Sequence, residues 1–258
     1  MSTQPHSLEQ EALNFLSEDK LEQAFKLFRR AALGYKEAGN YKQSAICFAS
    51  AASCWAKKSG EKTFSNSATT YEEAAQQAEK CFDLSYAFRL YKLAAINYER
   101  DGEFLSYSDC YYRSKECFRR FLTYSIFIPN KLNSITKNPE PKGVTGIIKK
   151  IFLWIVLTFS FLVWGHGERP LRTLFSGISV VLICAFLYTF GFIVQDGVNI
   201  RPDFFQSLYF SVITFTTVGY GDFTPAGLSK AVAVVEAFSG IFVVPLFIIG
   251  LSRKYLRV

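Results

Sequence analysis

The chain has 258 residues, 50% of them hydrophobic and 17% aromatic, with a formal net charge of +7. That length suits one or two domains, and the apolar and aromatic content is high for a wholly soluble chain. Residues 1–122 hold 17 basic and 16 acidic side chains, whereas residues 123–258 hold 12 and 6. The basic excess therefore brackets the apolar runs, which points to anionic lipid headgroups and away from nucleic acid. Two histidines, His6 and His166, and six cysteines without a Cys-x-x-Cys pair give no nucleophile or metal constellation. No enzyme class and no cofactor is expected. The first residues show no charged leader before an apolar run, so the N-terminal half is expected in a reducing cytosol.

From residue 7 to about 122, small and apolar residues recur at helical spacing, as in Leu21, Ala24, Phe25, Phe28, Ala31, Ala32 and Tyr35. A shift of 63 residues aligns Leu21–Trp55 with Leu84–Phe118 without a gap. Ten pairs are identical, among them Ala24/Ala87, Ala31/Ala94, Tyr35/Tyr98, Gly39/Gly102, Cys47/Cys110 and Cys54/Cys117. Each copy reads as a helix of roughly 18 residues, a turn at the glycine and a second helix, with a further helix near 65–81 between the copies. Residues 1–122 thus form a first domain. It resembles the tetratricopeptide class, most closely the variety in soluble NSF-attachment proteins. That likeness implies a curved stack of hairpins able to receive a peptide or protein partner. Seven-residue spacing puts Cys47 and Cys54, and likewise Cys110 and Cys117, on one helix face, so these cysteines are expected as small apolar core residues.

Residues 123–146 contain three prolines and scattered lysines and read as a linker. Ile151–Trp164 is uncharged but only fourteen residues long, short of the roughly 20 that cross a bilayer. The segment 147–172 is therefore expected to lie at the membrane interface with Trp154 and Trp164 at headgroup level. The stretch from Gly165 to Arg172 resembles a segment that precedes the pore in some bacterial channels attached to pentapeptide repeats.

The last part, 173–258, is read as a membrane domain. An outer helix is expected over 174–194, a polar turret over Gln195–Asp203, and a short helix from Asp203 to Thr216, begun near Pro202. An inner helix follows within 228–252, with Glu236 as the one charge in the run Ala231–Leu251. Between these lies Thr217-Val218-Gly219-Tyr220-Gly221-Asp222. Glycines at alternate positions let consecutive carbonyls face the same way at little steric cost. Four copies around an axis would stack rings of carbonyl oxygens able to replace the water around a K⁺ ion.

These six residues resemble the selectivity filter of two-transmembrane, one-pore-loop potassium channels. The resemblance implies an all-α, homotetrameric K⁺ channel whose cytoplasmic repeat domain modulates gating. Thr217, Val218, Gly219, Tyr220 and Gly221 would bind K⁺, the permeant ion. Thr216, Tyr209, Asp222 and Glu236 would support the filter, with the Tyr220 ring packed on Tyr209 and Phe210. Gly240 and Pro245 would form a gating hinge, although Gly240 could equally serve close helix packing. Ten basic residues on the expected cytoplasmic flanks against two on the outer side place both termini in the cytoplasm of a multi-pass cell-membrane protein. The alternatives are a membrane-tethered helical-repeat scaffold and a weakly selective cation channel.

Overall fold

In a computed structural model, residues 4–58, 63–128 and 144–255 are described. The chain divides into two compact units, Met1–Thr158 and Phe159–Val258.

Among the described residues, the first unit opens with six helices: α1 (Pro5–Ser17), α2 (Leu21–Glu37), α3 (Tyr41–Lys57), α4 (Thr63–Lys80), α5 (Leu84–Asp101) and α6 (Phe104–Phe127). Each packs chiefly on its neighbours in sequence. The alanines explain this stacking. Ala31, Ala32, Ala45, Ala52, Ala68, Ala74, Ala75, Ala87, Ala94 and Ala95 are all essentially buried, and their lack of a long side chain lets the helix axes approach. Larger residues such as Phe28, Phe48, Leu90 and Tyr91 fill the gaps between them.

The repeat is larger than the aligned segments Leu21–Trp55 and Leu84–Phe118. α4 is not an extra helix between two copies but the first helix of the second copy, equivalent to α1. Glu9 and Glu72 stand 63 residues apart, and each accepts a hydrogen bond from the hydroxyl of an equivalent tyrosine. Tyr35 donates to Glu9 at 2.8 Å and Tyr98 to Glu72 at 3.0 Å. Ala12 and Ala75 are buried at the same shift. The turns match too: Asp19 and Phe82 both have left-handed φ, at 57° and 64°, as do Gly39 and Gly102, at 74° and 81°. A Phe in that conformation is strained. Its ring is held edge-on to Tyr124, with centroids 4.7 Å apart.

The cysteines lie inside this stack. Cys47, Cys54, Cys110 and Cys117 are at most 1% exposed. Burial, with Glu9 nearby, pushes the Cys47 thiol up from 9.0 to about 12. Burial also raises Cys54. Burial with Glu72 raises Cys110, and burial with Glu79 raises Cys117.

The expected linker begins later than residue 123, because α6 continues to Phe127. No proline interrupts it before Pro129, and its last turns have partners on the next described helix, α7 (Val144–Trp164). Trp154 donates its indole N–H to the Thr123 hydroxyl at 2.9 Å, and Lys150 donates to the Ser125 hydroxyl at 3.2 Å. The Trp154 ring meets Phe127 edge-on at 5.2 Å, and Leu157 joins Leu84, Phe121 and Leu122 in a buried cluster. Residues 129–143, most of that linker, lie outside the described residues.

With Lys149 and Lys150 inside the helix, α7 is 21 residues long. Among the described residues, three helices are long and apolar enough to cross a membrane, at Gly146–Gly167, Pro170–Thr189 and Ser229–Lys254. Length therefore gives no reason to keep α7 at the interface.

In the second unit, a short 3-10 turn (Gly165–Gly167) leads into α8 (Pro170–Thr189). α8 starts at Pro170, where a missing N–H costs nothing, and is shifted from the expected 174–194. Its end comes early because Phe192–Gln195 form a strand, β1, rather than more helix. β1 pairs antiparallel with β2 (Val198–Ile200) and with β3 (Phe223–Ala226), in the order β2-β1-β3. The expected turret is thus a hairpin. Asp196 and Gly197, with φ of 50° and 80°, form its two-residue turn, as Asp-Gly often does. α9 (Phe204–Phe215) and α10 (Ser229–Tyr255) complete the unit, and α8 and α10 both pack on α9.

Candidate functional site

α9 is placed by its own first turn. Asp203 caps it through a reciprocal capping box: the Gln206 backbone N–H donates to Asp203 Oδ1 at 2.7 Å, and the Asp203 N–H donates to Gln206 Oε1 at 3.1 Å. Thr216 closes the other end, its hydroxyl donating to the Val212 carbonyl at 2.7 Å. The helix is therefore twelve residues long, too short to cross a bilayer, and its negative end faces the Thr217–Asp222 segment.

That segment leaves the helix abruptly. The Thr217 N–H donates to the Thr214 carbonyl at 3.0 Å, while those of Val218 and Gly219 converge on the Ile213 carbonyl at 2.9 and 3.2 Å. Along it the sign of φ alternates: Thr217, Gly219 and Gly221 are left-handed at 58°, 52° and 83°, and Val218 and Tyr220 are not. Glycine supplies two of these positions at no steric cost; Thr217 has to be held there.

Asp222 closes the segment. Its Oδ2 accepts from the Tyr209 hydroxyl at 2.8 Å, and its Oδ1 accepts from the Phe223 N–H at 3.0 Å. A residue on α9 is thus bonded to the far end of the loop. The Tyr220 ring does not follow expectation: it is 73% exposed in the single chain. The rings meant to hold it are engaged elsewhere. Tyr209 meets Phe223 edge-on at 5.8 Å, and Phe210 is buried against Tyr188 at 4.8 Å.

Behind the loop, α10 passes close to α9. A Cβ on Gly240 would collide with the Phe215 carbonyl, and one on Gly177 would lie 3.3 Å from the Phe215 ring and 3.4 Å from Val243. Small residues at such a crossing let helix backbones approach. Close packing is thus the visible role of Gly240, and α10 runs as one helix through both it and Pro245.

Glu236, one turn before Gly240, is fully buried. The Tyr188 hydroxyl of α8 donates to its Oε2 at 2.7 Å, and its Oε1 is hydrogen-bonded to the Ser211 hydroxyl of α9. Ser211 also lies 2.8 Å from the Val181 carbonyl. Neither Tyr188 nor Ser211 was named from the sequence. A lone acid in an apolar helix announces that it needs polar partners, but only the packing says which hydroxyls they are. Among the described residues, no group of three or more His, Cys, Asp or Glu side chains could hold a metal ion.

Residues 176–256 match the family model described as an ion channel, and residues 6–120 match that of soluble NSF attachment proteins. Both halves resemble the families their residues suggested. Neither family is one of enzymes. Among curated proteins, the probable potassium channel protein 2 of Methanocaldococcus jannaschii is 39% identical over 80 residues, covering 31% of this chain and 21% of that one. The hyperpolarization-activated voltage-gated potassium channel of the same organism is 34% identical over 83 residues, covering 32% and 39%. Its potassium channel protein 1 is 33% identical over 90 residues, covering 31% and 26%. The chain thus spans well under half the length of these relatives. No solved structure matches it. With the ion-channel match and its apolar helices, this is a membrane protein.

Proposed function

We propose that the chain is one subunit of a homotetrameric, K⁺-selective channel that conducts passively. The observation that carries this is Thr217–Asp222 at the C-terminal end of a short capped helix, between two helices long enough to cross a membrane, with left-handed φ at every second residue. Such alternation turns successive carbonyls toward one side, so four copies would stack oxygen rings from Thr217, Val218, Gly219 and Tyr220, with Gly221 at the mouth. Relatives that carry the name potassium channel support the reading. One chain supplies a quarter of such a pathway, which is why a fourfold assembly is required. Thr216, Tyr209 and Asp222 act as support: their hydrogen bonds tie both ends of the loop to α9.

The first domain, 1–122, biases the gate through α7. The support is α7's attachment to α6 through Lys150, Trp154 and Leu157. One face of α7 is thereby committed to the repeat unit, which favours an interfacial position for 147–172 and both termini in the cytoplasm. The domain 173–258 forms the pore, and Gly240 and Pro245 are where α10 would bend. The test is the reversal potential of the purified chain in planar bilayers with K⁺ on one side and Na⁺ on the other. A value near the K⁺ limit is expected, and a value near zero would overturn the reading. Removing residues 1–128 should change open probability; an unchanged value would overturn the modulatory role.

A further inference from the structure

Two hydroxyls are bonded to Glu236, one of them reaching a backbone carbonyl as well, and the hydrogens among these oxygens can be counted. Tyr188 O–H donates to Oε2, which uses one hydrogen. Ser211 Oγ lies within hydrogen-bond reach of two further oxygens, Glu236 Oε1 and the carbonyl of Val181. A serine hydroxyl has one hydrogen, and a backbone carbonyl has none to give. If Glu236 were a carboxylate, that single hydrogen would have to be shared between the two contacts, leaving each with a weaker bond in a buried site. If it is a carboxylic acid, each of these oxygen–oxygen contacts holds a hydrogen of its own. Tyr188 donates to Oε2, Oε1–H donates to Ser211 Oγ, and Ser211 donates to the Val181 carbonyl.

The surroundings agree with the count. Glu236 is 0% exposed, and no ion pair found among the described residues includes it. An uncompensated charge between apolar helices is costly, and a neutral acid avoids that cost. The groups facing it are Tyr188 and Cys184 of α8 and Ser211 of α9, none of them cationic.

We infer that Glu236 is a protonated positioning residue: a neutral carboxyl that relays hydrogen bonds from α8 through α10 to α9 and sets the height of α9 against the inner helix. The spacing makes it effective. Glu236 and Gly240 are four apart on one face of α10, and they meet Ser211 and Phe215, four apart on α9. One contact bonds and the other abuts, so α9 can neither slide nor tilt without breaking the relay. α9 in turn bears Tyr209 and the start of the Thr217–Asp222 loop.

Its effect on selectivity rests on the channel reading above; its protonation does not. The first experiment is infrared spectroscopy of the full chain in lipid nanodiscs at neutral pH, comparing wild type with Glu236→Gln. The wild type should show the carbonyl band of a hydrogen-bonded carboxylic acid that the variant lacks, and Ser211→Ala should shift it. Spectra without such a difference would overturn the inference whether or not the protein conducts. In flux assays, Gln can donate to Ser211 and accept from Tyr188 without a charge, whereas Leu can do neither. Gln should therefore retain at least roughly tenfold more K⁺ flux than Glu236→Leu, as expected for buried partners left unpaired. Equal losses in both variants would show that the charge is what matters, and would overturn it too.

Discussion

At the scale of single residues, the chain shows how one methyl or one proton can matter. Gly240→Ala would drive a Cβ into the Phe215 carbonyl, a backbone atom that cannot rotate away. Overpacking of this kind costs about 1–3 kcal/mol, and here it would displace the end of α9. We expect the variant to lose K⁺ selectivity in bilayer recordings while the repeat unit keeps its far-ultraviolet dichroism. The buried thiols predict the opposite of reactivity. Cys47, Cys54, Cys110 and Cys117 are shielded, whereas Cys81 is partly exposed. Maleimide under native conditions should therefore label Cys81 first, as read by peptide mass spectrometry. The direction with pH follows from the raised values. The folded state holds the Cys47 proton up to about 12, while an unfolded thiol releases it from about 9. The stability this confers is present below pH 9 and is lost as pH rises from there toward 12. Melting temperatures across that window should fall, and less steeply for Cys47→Ala.

Among elements, the repeat unit offers an internal control, because its period brings the same contact round twice. Tyr35 to Glu9 and Tyr98 to Glu72 are equivalent bonds between equivalent helices. Tyr35→Phe and Tyr98→Phe should each cost about 1 kcal/mol by denaturant titration, the usual net worth of such a bond. The copies differ further along. Where the second has Glu79, Tyr91, Arg113 and Arg120 in one hydrogen-bonded network, the first has Leu16, Phe28, Ser50 and Lys57. The shift of 63 was legible over α2–α3 and α5–α6 because identities are dense there. It was not legible over α1 and α4, where Glu9/Glu72 and Ala12/Ala75 are too few to notice until the structure shows them doing the same thing. The hairpin β1–β2 was missed for another reason. Its Asp196-Gly197 turn is a recognisable signal, but the apolar residues before it also continue a helical run, and only pairing with β3 settles the choice.

For the whole molecule, the question is what covers its apolar surface. Val234, Val235, Phe238, Ile241, Phe242 and Ile248 of α10 are all more than half exposed in the single chain, as are Val218 and Tyr220. Lipid can cover a helix face, but the polar backbone of a loop in a bilayer needs protein or water. The proposed assembly of four copies would answer both needs. Native mass spectrometry of the detergent-solubilised protein should give four times the 29.2 kDa chain mass, and a monomer would sink the pore reading.

Much was decided by the sequence alone, and for a local reason. Periodicity, apolar length and the Thr217–Asp222 motif depend only on neighbours along the chain, so they sufficed for a helical repeat, a membrane domain and a candidate filter. What required the tertiary structure was every partnership across elements. Among these are Tyr209 with Asp222, Trp154 with Thr123, Gly240 beneath Phe215, and Glu236 between Tyr188 and Ser211. A buried polar group must find a hydrogen-bond partner. The sequence states that demand, and only packing in three dimensions determines which residue meets it.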